Sequence, residues 1–204
     1  ILLMPQSIFS VEKIRAAAGG FAKGNRYNVT IIPPQFMSSN SDTLSKFQYL
    51  CEAVSLPTKG IASNPQKVYG PPREIPYGET FTEAALSFIL DDAFTIKEYF
   101  DVWQANIIDP ESGNVKNYWN NMVGTIKLSR LSNDATSFTD ADKTYNLELR
   151  EAYPSAVGEI ALGHAQGSEI LKLSVTFKYR KWINLAAGTR GTLAGTGLSG
   201  GGIA

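Results

Sequence analysis

From Glu169 to Trp182 the chain reads EILKLSVTFKYRKW, and every second residue is apolar: Leu171, Leu173, Val175, Phe177 and Tyr179. Between them stand Lys172, Ser174, Thr176, Lys178 and Arg180. Side chains alternate across a strand, so the pattern predicts a β-strand with one oily face and one wet face. At about 3.3 Å per residue, its roughly fourteen residues reach about 46 Å, far beyond a typical strand of ~5–6 residues. Such a strand implies an extended sheet, with one face on a core and the other toward water or a water-filled channel.

The rest of the chain is read in the same way. Ser10 is placed to cap a short helix over Val11–Ala18, stopped by Gly19 and Gly20. Alternation predicts a strand over Arg26–Ile32, ended by Pro33-Pro34, and then a polar loop over Gln35–Ser45. A second strand is expected over Phe47–Val54, with Phe47, Tyr49, Cys51 and Ala53 on one side. Lys59–Glu79 holds Pro65, Pro71, Pro72 and Pro76 between short extended pieces at Gln66–Tyr69 and Arg73–Tyr77. Proline cannot donate to a ladder, so this region belongs at a sheet edge or in a projecting hairpin. Thr80–Leu90 reads as a third major strand.

Ala93–Ala105 is the one convincing helix. Asp91 or Asp92 is placed to cap it, and Ile96, Tyr99, Phe100 and Trp103 form a stripe that packs on the sheet. A loop is expected over Asn106–Asn121. A strand then follows over Met122–Leu131, with Ile126 and Leu128 inward and Lys127 and Ser129 outward. After a polar loop over Asn133–Asp142 comes a strand over Lys143–Arg150, with Tyr145, Leu147 and Leu149 inward. Ala152–Ile160 bridges to a short strand, and His164–Ser168 turns the chain back into the long one. The pattern as a whole predicts a mainly-β (α+β) sandwich or open barrel with one packed α-helix.

Composition changes at the end. Asn184–Ala204 is mostly Gly, Ala, Thr, Leu and Ser, with Arg190 as its only charge. Such a segment buries too little apolar surface to offset the entropy of ordering by itself. The expected division is one domain over 1–182, with an N-terminal arm over 1–25, and a Gly-rich flexible tail over 183–204. Hydrophobic residues make up 43% of the chain, enough for a sizeable core. Nineteen basic and nineteen acidic residues cancel, which argues against a dedicated nucleic-acid binder. The opening Ile1–Met4 lacks the basic region of a secretory signal, and no apolar run approaches the ~20 residues of a membrane span. The expectation is a soluble protein.

A search for chemistry returns little. His164 is the only histidine, so neither a triad nor a multi-histidine metal site can be built on it. Cys51, the only cysteine, sits on the apolar side of its segment and reads as core. Asp109 with Glu111, and Asp134 with Asp140 and Asp142, lack the calcium-loop glycine. Gly195, Gly197 and Gly200–Gly202 follow no strand and open no helix, so they make no phosphate loop. No catalytic, cofactor-binding or metal-binding residue is expected, and no enzyme activity.

Several segments carry a collinear resemblance. They are FQYLCEAVSLP at Phe47–Pro57, the strand at Thr80–Asp91, and the following helix with Phe100-Asp101-Val102-Trp103-Gln104. They continue with YPSAVGEI at Tyr153–Ile160 and the closing strand Glu169–Trp182. In this order, from about Arg15 to Trp182, the chain resembles the tail tube protein of T-even-type contractile-tailed bacteriophages, in a superfamily that includes type VI secretion tubes. The Gly-rich tail has no counterpart in that pattern, and the loop at Asn106–Asn121 is longer than expected. The resemblance implies a structural subunit that forms stacked hexameric rings, a tube through which DNA is ejected into the host.

Each subunit would give about four strands to an inner barrel of about 24, and barrels of about 16–18 strands already leave an aqueous channel. The implied partners are further copies of the chain, the tail sheath protein, and baseplate and tail terminator proteins. DNA would pass without specific binding, and the implied location is the virion tail, assembled in the host cytoplasm. Lys172, Ser174, Thr176 and Lys178 are the expected lumen face, and Pro65, Lys67, Tyr69, Arg73 and Tyr77 the expected ring-to-ring contact. A lumen that passes DNA should not attract it, so the cations of the wet face need balancing by Glu83, Glu148 or Glu151, or by the next ring. Two alternatives stay open: a tube-initiating baseplate protein of the same fold, and a carbohydrate-binding β-sandwich using Trp103, Trp119 and Trp182.

Overall fold

The computed structural model describes residues 21–185, except 38–40, 68, 137, 139–141, 165–166 and 168, together with residues 11 and 16. Apart from residues 11 and 16, the helix expected over Val11–Ala18 lies outside the described residues, as does most of the Gly-rich tail. Strands dominate: β1 (Tyr27–Ile32), β2 (Cys51–Val54), β3 (Lys59–Gln66), β4 (Arg73–Phe81), β5 (Ala84–Ile89), β6 (Gly124–Leu131), β7 (Lys143–Val157), β8 (Lys172–Lys178) and β9 (Lys181–Asn184). Helices α1 (Ser41–Leu50), α2 (Thr95–Ile107) and the single turn α3 (Trp119–Met122) complete the list. All ladders between named strands are antiparallel. The mainly-β expectation holds.

One sheet runs in the order β1-β6-β7-β8-β5-β2, and β9 adds to β7. The 15-residue strand β7 joins its two halves. Residues Lys143–Ala152 pair with β6, and Tyr153–Val157 pair with β8. Near the end of the first region Glu151 takes a left-handed φ of 55° at a bulge opposite β6. A bulge of this kind bends a strand and lets it cross from one sheet face to another. The oily sides of both halves meet in one core: Val29, Ile31, Ile126, Leu128, Leu147 and Leu149 from one, and Leu86, Phe88, Leu173, Val175 and Phe177 from the other. No ladder joins the edge strands β1 and β2. The Tyr27 hydroxyl spans the seam instead, donating to the Cys51 carbonyl at 2.9 Å and to that of Glu52.

Several sequence expectations are corrected here. Phe47–Val54 is not one strand, and Gln35–Ser45 is not all loop: Ser41–Leu50 is helix α1, and only Cys51–Val54 is strand. FQYLCEAV alternates, but Leu44, Phe47 and Cys51 also recur at helical spacing, and Asp42 in the first turn suits the helix dipole. Packing decides between the two patterns. Phe47 is fully buried, with ring contacts to Phe88, Tyr99 and Phe100, while Tyr49, its partner in alternation, is 71% exposed. Thr80–Leu90 is also broken. Thr80 and Phe81 finish β4, and β5 starts at Ala84 after the chain leaves the hairpin through Thr82 and Glu83.

The longest strand is β7, which fuses the expected Lys143–Arg150 strand with the segment read as a bridge. The Glu169–Trp182 strand is divided at Tyr179–Arg180 into β8 and β9, where β7 bends at Glu151. Finally, Ser129 is buried, not wet, and its hydroxyl donates to the Asn146 side-chain oxygen at 2.9 Å.

Helix α2 closes the core. Ile96, Phe100 and Trp103 are fully buried and Tyr99 partly so, as its stripe predicted. It starts at Thr95, two residues later than expected, because Asp91 caps across a turn: its carboxylate accepts from the Thr95 backbone N–H at 2.9 Å and the Thr95 hydroxyl at 2.6 Å. Trp103 Nε1 donates to the Met122 carbonyl at 2.9 Å, tying α2 to α3. The Trp103 ring lies over Gly124, where a Cβ would stand 2.9 Å from a ring carbon and 2.5 Å from the Ile32 carbonyl. Burying each large apolar side chain of this cluster is worth roughly 1.5–3 kcal/mol.

Candidate functional site

Two surfaces collect the residues singled out from the sequence. The first is the wet face of the β2-β5-β8-β7 half-sheet. Lys172, Ser174 and Lys178 are exposed on β8 and Thr176 is half-buried, while Leu173, Val175 and Phe177 face the core. The register sets small side chains beside them: Ser87 opposite Ser174, Ala85 and Ala156 flanking Thr176, and Ala53 opposite Ser87. The cations are neutralised within the chain. Lys172 Nζ lies 2.5 Å from Glu52, Lys178 Nζ 3.4 Å from Glu83, and the Arg180 guanidinium 2.8 Å from Glu151. Trp119 Nε1 also donates to Glu151, and these two bonds hold the Glu151 carboxyl below its usual range.

Glu83 and Glu151 therefore take the balancing role expected for them, whereas Glu148 pairs with Arg150 at 2.8 Å, away from β8. Glu52 was missed. The alternation put it on the polar side of its segment, but local pattern does not show that the bulge between Cys51 and Ala53 brings it within reach of Lys172.

The second surface is the β3–β4 hairpin, which pairs with no other strand among the described residues. Pro65, Lys67, Tyr69, Arg73 and Tyr77 are all exposed on it, as is Ile61. Its root is anchored. Lys59 bridges to Glu79 at 2.5 Å and lies over the Phe81 and Trp182 rings, and the Tyr179 hydroxyl donates to the Thr82 carbonyl at 2.6 Å.

Among the described residues no group of three His, Cys, Asp or Glu side chains has the geometry to hold a metal. His164 is exposed in a turn, and burial pushes the Cys51 thiol up to about 12, which keeps it a protonated core residue. The tryptophans do not form a stacking platform, because Trp103 is fully buried under Gly124 and Trp182 is half-buried beneath Lys59. Among the described residues, no helix is long and apolar enough to cross a membrane.

The family model of the phage tail tube protein matches residues 22–185. The chain belongs to the phage tail tube protein family. Solved structures with a similar fold come from contractile injection systems. One is a chain in the six-fold symmetrised baseplate of the anti-feeding prophage, at TM-score 0.58 and 12% identity, covering 81% of this chain and 96% of that one. Another is in the sheath/tube terminator of an extracellular contractile injection system, at TM-score 0.57 and 13% identity over 81% and 96%. A third is in the sheath-tube complex of such a system, at TM-score 0.53 and 12% identity over 86% and 97%. At these identities the likeness is one of fold. No match is found among curated proteins. Membership of this family places the chain among phage tail tube proteins, and the wet face and the hairpin are its candidate assembly surfaces.

Proposed function

We propose that the chain is the tail tube subunit itself, assembling as stacked hexameric rings with a lumen through which DNA is ejected. The half-sheet β2-β5-β8-β7 supplies four strands to the inner wall, with Lys172, Ser174, Thr176 and Lys178 facing the lumen. The observation that carries this reading is the in-chain pairing of every β8 cation with a carboxylate, across a face otherwise built of Ala, Ser and Thr. A wall of this kind presents no net attraction to a polymer that carries one charge per ~1.7 Å. Helix α2 packs on the opposite side of the sheet, so it turns outward, toward a sheath protein. The hairpin reaches the adjacent copy or ring, baseplate and terminator proteins bound the two ends of the tube, and no catalytic role is assigned.

Negative-stain electron microscopy of the concentrated protein tests this. Six-fold rings or stacked hollow tubes are expected. A chain that stays monomeric at millimolar concentration and also fails to enter contractile tails when co-expressed with a sheath protein would refute it.

A further inference from the structure

A cleft of about 440 Å³ opens along the seam between β1 and β2. Among the described residues β1 pairs only with β6 and β2 only with β5, so each presents a free edge to the seam. Tyr27, Val54, Leu56, Leu128 and Tyr145 line the cleft with apolar surface, and Leu56 is 57% exposed. Two open strand edges beside an apolar groove suit an extended apolar segment, because its main chain and its side chains both gain partners there. Ala22, Lys23 and Gly24 form one lip of the cleft. The Asn133 side chain donates to the Phe21 carbonyl at 2.9 Å, which fixes the point where the chain enters the domain.

The stretch before that point has the composition of such a segment. Ile1–Ser10 carries no charged side chain, and Ile1, Leu2, Leu3, Met4, Ile8 and Phe9 within it are large and apolar. The stretch after Leu185 is a poorer fit, with Leu193, Leu198 and Ile203 spread among Gly, Ala and Thr. The described residues that lead to the cleft do not pack on their own chain: Val11 is 68% exposed, Phe21 61%, and Ala16 is exposed too. Reach also suits a neighbour. Phe9 and Phe21 are twelve positions apart. Eight of these in the expected helix at about 1.5 Å each, and four extended at about 3.3 Å each, span roughly 25 Å. That exceeds the radius of gyration of about 15 Å for a domain of this size. An arm and a cleft on different parts of one molecule join copies head to tail, the kind of contact that closes rings or extends filaments.

We propose that Ile1–Phe9 of one copy lies in the seam cleft of an adjacent copy, its apolar side chains covering Val54, Leu56 and Tyr145. This rests on the tube reading and deepens it, by adding an exchanged arm to the contacts between copies.

The test uses the full chain with Cys51→Ala, Phe9→Cys and Leu56→Cys, oxidised at assembling concentration and run on a non-reducing gel. A ladder of covalent oligomers is expected. Either single-cysteine chain stops at dimers, and replacing the exposed Tyr118 in place of Leu56 gives no ladder. In the otherwise unchanged chain, Leu3→Asp with Phe9→Asp charges the arm, and Leu56→Asp charges the cleft at an exposed position where folding is not at stake. Each is expected to raise the concentration needed for assembly about tenfold and to leave circular dichroism unchanged. Tubes that form normally without a ladder, or that ignore both sets of charges, overturn the docking while leaving the tube reading intact. A disulfide confined to monomers puts each arm in its own cleft and overturns the exchange. A ladder without rings or tubes upholds the docking and refutes the tube. Neither cross-link nor assembly refutes both.

Discussion

Replacing Asp91 by Asn tests how the two helices are fastened to the sheet. The carboxylate sits at the end of β5 and accepts from Lys46 Nζ of α1 at 2.7 Å, and from Thr95 of α2 through both its hydroxyl and its backbone N–H. These bonds, the Lys46 one foremost, draw its pKa from 3.8 down to about 2. At 1.36 kcal/mol for each tenfold change in proton affinity, that corresponds to about 2 kcal/mol. The Lys46 side chain is 39% exposed, and solvent screening leaves about 1–2 kcal/mol of this.

A lowered folded-state pKa gives stability that is fully present above the unfolded value and lost as pH falls through the folded one. Asp91→Asn should therefore lower Tm at pH 7 by about 3–6 °C, given ~2–4 °C per kcal/mol for a chain of this size. The gap to the parent should shrink below pH 4, to about a third at pH 2.5. Thermal melts of parent and variant across pH 2–7, followed by circular dichroism, read this directly. A gap that stays constant through that window would mean that the carboxylate charge contributes nothing, and that only the cap geometry matters.

Other substitutions test the faces and the wall. Val175→Asp places a charge in the fully buried side of β8 and should abolish folding, whereas Ser174→Asp should leave circular dichroism and soluble yield unchanged; the reverse pattern would mean the faces are swapped. Gly124→Ala pushes a Cβ against the Ile32 carbonyl and the Trp103 ring and should destabilise by about 1–3 kcal/mol in urea unfolding, with a neutral result arguing that the α2–β6 contact is loose. The double substitution Glu52→Gln and Glu83→Gln removes the partners of Lys172 and Lys178. It should cost the fold no more than about 1 kcal/mol, since both pairs are exposed. Assembled tubes should then retain duplex DNA in low salt and release it in high salt. Tubes as inert as the parent would remove the charge-balance argument.

Most elements were legible because their periodicity survives burial on one side. The α2 stripe, the alternation of β6 and β8, and the proline-marked hairpin each report a single face, so each could be read from spacing. The lumen-face and hairpin candidates follow from those patterns, and all of them but the half-buried Thr176 are exposed. The Ser41–Val54 region was ambiguous because Phe47, Tyr49 and Cys51 satisfy a period of two while Leu44, Phe47 and Cys51 satisfy a period near 3.6. The sequence by itself thus determined the mainly-β class, the two-faced strand and the packed helix.

Only the tertiary structure decided three further things. It turned Phe47 into the aromatic cluster and so made α1 a helix. It bent β7 at Glu151 and thereby split the strand alongside. It brought Glu52 and Glu83 to lysines 120 and 95 residues further along the chain. Local pattern records which side of an element is apolar. It does not record which distant element lies against that side, and those long-range contacts set the charge of the wall.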